Sequence, residues 1–156
     1  MMHRRNFIAA PLLVGVPAWA HHGWSSFDQT RPLYLEGKAV KVSWRNPHAE
    51  LQLELPGTGL QLPPDLPTRT LPAQTAPVDG PALLKAAQLP TRKDRRWEVE
   101  LAPLSRMQDW SVPEIRVGDV LALVGFTFVA EKGAAIVRVE YLFLGGKTYA
   151  LRSSPA

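Results

Sequence analysis

Ala49-Glu50-Leu51-Gln52-Leu53-Glu54-Leu55 alternates apolar and polar residues without a break. Successive side chains on a strand point to opposite faces, so Ala49, Leu51, Leu53 and Leu55 share one face. His48, Glu50, Gln52 and Glu54 share the other. A helix would scatter both sets around its circumference. The stretch therefore predicts a half-buried strand with its polar side outward.

The neighbouring segments extend this pattern. Upstream, residues 33–44 (LYLEGKAVKVSW) are β-rich and lack a helical period, which predicts one long first strand bent at Gly37. Asn46-Pro47 is a turn signal between the two strands. Downstream, Trp97, Val99 and Leu101 alternate with Glu98 and Glu100, giving a third strand. Residues 103–110 predict a short helix or turn. Val117-Gly118-Asp119 leads tightly into a strongly apolar stretch, Val120 to Phe128, expected as a buried fourth strand. Ala135 to Leu144 and Lys147 to Leu151 form a last pair, joined at Gly145-Gly146, a two-residue hairpin signal.

Five or six strands with one short helix between the third and fourth predict an all-β protein. The order matches a small, partly open β-barrel resembling the OB-fold, with a β-sandwich as the alternative. Residues 56–95 interrupt it. Eight prolines and no sustained period mark a long Pro-rich irregular insertion, with two helical turns expected at Ala82 to Gln88. Its composition predicts a mobile segment that buries little apolar surface.

The first 20 residues read differently. Arg4-Arg5 precede an apolar run from Phe7 to Val16, and Ala18-Trp19-Ala20 has the small-x-small pattern of a signal-peptidase site. The run is too short and too broken by Pro11, Gly15 and Pro17 to span a bilayer, and no later segment is a candidate. The reading is a signal peptide over 1–20 and a single domain over 21–156, periplasmic or secreted. His3-Arg4-Arg5-Asn6-Phe7-Ile8 resembles a twin-arginine signal, with general secretion as the other route.

Of the 156 residues none is cysteine, which excludes disulfides, thiolate metal sites and lipoprotein attachment. The net charge is +4, and removing Arg4 and Arg5 with the leader lowers it to about +2. So weak a charge argues against a nucleic-acid partner.

His21-His22-Gly23-Trp24-Ser25-Ser26-Phe27-Asp28, Leu35-Glu36-Gly37 to Trp44, and Asn46-Pro47-His48 together resemble a family of short exported bacterial proteins of unknown function. The mature chains of that family open with His-His and carry a Trp-x-Asn-Pro-His motif. Trp97 to Glu100 and Val117 to Val120 fit the same resemblance. It implies the domain boundaries and the shape, and no activity.

After cleavage His21 would lead the chain, offering a free α-amine and an imidazole as one chelate. With His48 it would place three nitrogens around one ion, a tetragonal set that favours Cu(II) over Ni(II) and Zn(II). His22 is a substitute ligand, and Asp28 or Glu50 a source of oxygen. The opposing reading is a solvated terminus, with His48 bonded to a turn carbonyl. A second binding reading uses the barrel face: Trp44, Glu50 and Trp97, beside the basic run Arg92 to Arg96, as a platform for an oligosaccharide or other envelope ligand. Glu98 and Glu100 read as the solvent side of a half-buried sheet. Ser25 and Ser26 lack the glycine pattern of a nucleophile elbow, so a binding role is expected before an enzymatic one.

Overall fold

The computed structural model describes residues 23–156. The leader, His21 and His22 lie outside the described residues.

Six strands form a single sheet: β1 (Leu33–Ser43), β2 (Glu50–Glu54), β3 (Arg96–Glu100), β4 (Val120–Phe126), β5 (Ile136–Leu144) and β6 (Lys147–Ala150). Neighbours run β3-β2-β1-β4-β5-β6, all antiparallel. A parallel pairing of β3 with β5 then closes the first five into a barrel. With helix α2 (Leu104–Asp109) between β3 and β4, this is the expected barrel order, and closure removes the sandwich alternative.

The alternation read from β2 is realised. Leu51, Leu53 and Leu55 turn into the barrel with Trp97, Val99 and Leu123, all buried. Gly37 is needed in β1 for a steric reason, while the irregularity of the strand falls between Ala39 and Lys41. A Cβ there would stand 2.2 Å from the carbonyl oxygen of Glu54, a backbone atom on the paired strand. At the β5–β6 hairpin, Gly145 and Gly146 have φ of +59° and +75°, the left-handed pair that such a two-residue turn needs.

The insertion departs from expectation. Leu66, Leu84 and Ala87 are buried against Tyr34, Ala122, Val124 and Tyr141, forming a second core on the outside of β1, β4 and β5. Within it α1 spans Gly80–Ala86, two residues earlier than the predicted turns. Asp79 caps it by accepting from the Ala82 amide at 3.0 Å, and Pro81 sits in its first turn. Among the described residues there are thus two short α-helices, α1 in the insertion and α2 after β3. Sparse apolar residues suffice here because each fills a separate place on a sheet face, which needs no period. Prolines also lower the entropy lost on ordering such a segment.

The far end of the insertion is tied down at Glu131. That side chain is 2% exposed and accepts from the Thr91 and Arg92 amides (2.9–3.0 Å), the Thr91 hydroxyl and Arg31 Nη1. Burial alone would raise its pKa, but these donors outweigh burial and hold it at about 2, against an ordinary 4.5.

Among the described residues no helix is long and apolar enough to cross a membrane.

Two stability predictions follow from this packing. A depressed folded pKa means that Glu131 stabilises the fold above pH 4.5, and that this contribution is lost as pH falls towards 2. Glu131→Gln should therefore cost about 3 kcal/mol at pH 7 and little near pH 2, read by urea denaturation at both. Gly37→Ala should cost about 3 kcal/mol, because the Glu54 carbonyl cannot yield without breaking the β1–β2 ladder. A variant as stable as the parent would show that the strands separate freely there.

Candidate functional site

His48 is placed by the turn before β2. The Asn46-Pro47 peptide is cis, and Asn46 Oδ1 accepts from the Leu104 amide at 3.4 Å, holding the turn against the start of α2. Ala49 then exchanges backbone hydrogen bonds of 2.9 Å with Ala102 and Leu101, carrying the β2–β3 ladder past the end of the strands. Ala49 points inward, so His48 points outward with Glu50, as the alternation requires.

The half-buried His48 ring meets an arginine. Its Nε2 lies 3.4 Å from Nη2 of Arg138 on β5, whose Nη1 is 3.2 Å from Glu100 Oε2 on β3. A guanidinium has no acceptor, so this contact is a hydrogen bond only when Nε2 is the unprotonated nitrogen of the ring. The bond is long, hence weak. The lone pair that faces Arg138 is one a metal ion would also use.

Arg138 reaches the N-terminal segment as well. Two guanidiniums lie over the Trp24 ring, Arg152 at 4.0 Å and Arg138 at 5.1 Å from its centre, and the indole makes a T-shaped pair with Phe126. Gln29 donates to the Trp24 carbonyl at 3.1 Å and accepts from Arg152 at 2.8 Å. Phe27 stacks on Phe128 at 5.3 Å, and the Asp28 amide donates to the Thr127 carbonyl at 2.8 Å. Each cation–π contact of this kind contributes roughly 0.5–2 kcal/mol. The chain is thus anchored from Trp24 onward, and Trp24 and His48 share Arg138 as a neighbour.

Charge at this end of the barrel is crowded. Arg152 also bonds Glu140, which is fully buried; burial pushes the Glu140 carboxyl up, and Arg152 opposes that. Burial and then the nearby Arg138 pull Arg106, on α2, below its ordinary value. The Nε atoms of Arg106 and Arg138 are buried with no partner among the described residues. Arg138 pairs with Glu100 and Arg152 with Glu140, and Glu50 lies directly across from Glu100 on β2.

The barrel-face residues do not assemble as expected. Trp97 is 0% exposed inside the barrel, its Nε1 donating to the Asp94 carbonyl at 3.2 Å. It offers no platform, because inward alternation on β3 puts it in the core. Trp44 is half-buried and packs against that same interior. The arginines of the basic run are paired: Arg92 with Asp94, and Arg95 and Arg96 with Glu54 on β2. Glu50 does line a small, shallow groove on the outer face of β1, β2 and β3, with Lys41, Gln52 and Glu98.

Asp28 Oδ1 takes the Thr30 hydroxyl and amide, at 2.6 and 3.1 Å, which holds its carboxyl below the usual range. Among the described residues no group of three or more His, Asp or Glu is placed to hold a metal ion. A site of three such ligands at His48 would need at least one of them from residues before Gly23. The residues that sequence reasoning missed are Arg138, Arg152 and the anchoring role of Trp24. Their signal was present in Ile136 to Leu144, where Arg138 and Glu140 interrupt an otherwise apolar strand.

Residues 10–61, a third of the chain, match a family of unknown function (DUF6152). That stretch contains His21, His22, Trp44, His48 and Glu50. No curated protein matches the chain. No solved structure matches it either.

Because Trp97 belongs to the core, Trp97→Ala should cost about 3–5 kcal/mol in a denaturation experiment. Near-parental stability would return the indole to the surface and revive it as a platform.

Proposed function

We propose that the chain is exported, that removal of residues 1–20 leaves His21 as its first residue, and that the mature protein binds Cu(II). The α-amine and imidazole of His21 supply two nitrogens and the imidazole of His48 the third. His22 orients the site or replaces one ligand. Glu50, on the same strand face as His48, is better placed than Asp28 to lend an oxygen, since Asp28 is engaged by Thr30.

One observation carries this reading: Trp24 and His48 both contact Arg138. Only His22 and Gly23 lie between His21 and Trp24, so the terminus stays within about 10 Å of Trp24. Copper entering at Nε2 displaces a weak 3.4 Å contact, and Arg138 keeps its partner Glu100 when it does. The role is a metal-handling or accessory one in the cell envelope, not catalysis. No nucleic-acid partner is part of it.

A second reading is supported by the groove on β1, β2 and β3, which lies on the face that OB-type barrels use for ligands. Its side chains, Glu50, Gln52, Glu98 and Lys41, suit the hydroxyls of an oligosaccharide.

Mass spectrometry of the exported protein should find His21 at its N-terminus. Titration with Cu(II) should show one tight site per chain. One extra residue before His21, or His48→Ala, should weaken it by about 100-fold. Equal binding by the extended protein overturns the copper site. Oligosaccharide binding that survives a chelator and is lost in Gln52→Ala would establish the groove reading in its place.

A further inference from the structure

The insertion does more than cover the sheet. An open cleft of about 490 Å³ lies between its Arg69-Thr70 stretch and the β5–β6 hairpin, a size that suits a small ligand. A second cleft runs along Lys38, Glu54 and Leu60, and Glu36 and Val120 line both. The two make one seam between the insertion and the sheet. It shares no lining residue with the groove on β1, β2 and β3.

Arg69 is held ready for an anion. The turn Leu66–Thr68 before it is anchored by buried Leu66, and Asp65 accepts from Arg69 Nε at 2.8 Å. The guanidinium lies over the Phe143 ring at 4.6 Å, and Phe143 lines the same cleft. Both Nη groups of Arg69 make no hydrogen bond among the described residues. A planar guanidinium fixed in this way, with its terminal donors unused, matches the two oxygens of a carboxylate or phosphate. Lys147 on β6 brings a second cation to the cleft.

Glu36 limits how much charge the seam accepts. Its Oε2 takes the Tyr34 hydroxyl at 2.5 Å, and burial, then this contact, pushes the Tyr34 phenol up, so the phenol keeps its proton. The carboxylate is thereby fixed as an acceptor for hydroxyls. We infer that the seam binds an acidic oligosaccharide: Arg69 and Lys147 take a sugar carboxylate, and Glu36, Thr70 and Thr148 take hydroxyls. Val120, 60% exposed, offers apolar surface to the C–H face of a sugar ring. Two cations against one carboxylate favour a ligand with a single negative charge per sugar. A sugar phosphate carries nearly two at pH 7 and is disfavoured by Glu36. The site depends neither on the copper reading nor on the groove reading.

The test follows backbone amide signals of the full-length protein by NMR during titration with four ligands. These are tri-galacturonate, neutral galactotriose, galacturonate and galactose 6-phosphate. Tri-galacturonate should shift the amides of Thr70, Lys147 and Thr148 saturably, with a Kd of about 0.1–1 mM. Galactotriose should bind about tenfold more weakly, and galacturonate should bind more tightly than galactose 6-phosphate. Arg69→Lys keeps the charge and loses the fork, and should weaken tri-galacturonate about tenfold while signals outside the seam stay in place. Glu36→Gln should abolish the preference for galacturonate over the phosphate. Equal binding of galactotriose, or parental affinity in Arg69→Lys, overturns the inference. Tighter binding of the phosphate by the parent overturns the choice of a sugar acid. Shifts confined to Gln52 and Glu98 place the glycan in the groove on β1, β2 and β3 and overturn the seam. No saturable shift with any of the four overturns it as well, and leaves the copper reading standing.

Discussion

The burial of one guanidinium organises this protein. Arg138 is 5% exposed, and a charge so far from water is tolerated only where partners surround it. Glu100 supplies the counter-charge, and the two residues face each other at the end of the parallel β3–β5 ladder that closes the barrel. His48 and Trp24 take two further sides. Barrel closure, the placement of the β2 histidine and the docking of the N-terminal segment therefore converge on one side chain. A change that opened the barrel would also separate the parts of the proposed site.

A second constraint comes from the outer surface. β1, β4 and β5 bury residues on both faces: Leu33, Leu35 and Leu123 inside, Tyr34, Val124 and Tyr141 outside. A sheet apolar on both sides requires a second layer, and the Pro-rich stretch supplies it. Gly80 shows how closely it fits, since a Cβ there would come within 2.4 Å of the Tyr141 hydroxyl and of Leu71. Glu131 then pins the end of that layer, using backbone amides of Thr91 and Arg92 that would otherwise lack partners. On the outer face of β2 and β3, Glu50, Gln52 and Glu98 line a groove together with Lys41 of β1.

The strands were legible because their apolar periods are unmixed. Leu51 to Leu55 and Trp97 to Leu101 alternate, and Gly145-Gly146 allows only a tight hairpin. The insertion was harder to read, since its buried residues, Leu66, Leu84 and Ala87, belong to no period. The evidence for its packing lay elsewhere, in the unbroken apolar run of β4, which implies cover on both faces. Trp97 shows the opposite failure. Its neighbours Arg95 and Arg96 suggested an exposed aromatic, whereas its own place in the alternation put it inside.

Sequence alone determined which segments are strands, the order in which they follow one another, the tight turn at Gly145-Gly146 and the outward direction of His48 and Glu50. Each of these depends on local sterics or on the twofold repeat of a strand, and so is written in neighbouring residues. Only the tertiary structure decided that Arg138, 90 positions from His48, would lie against it, and that Trp24 would close the other side. Such meetings arise from barrel closure, which pairs strands far apart in the chain, and no local pattern encodes the distance between residues that meet only when the sheet curls onto itself.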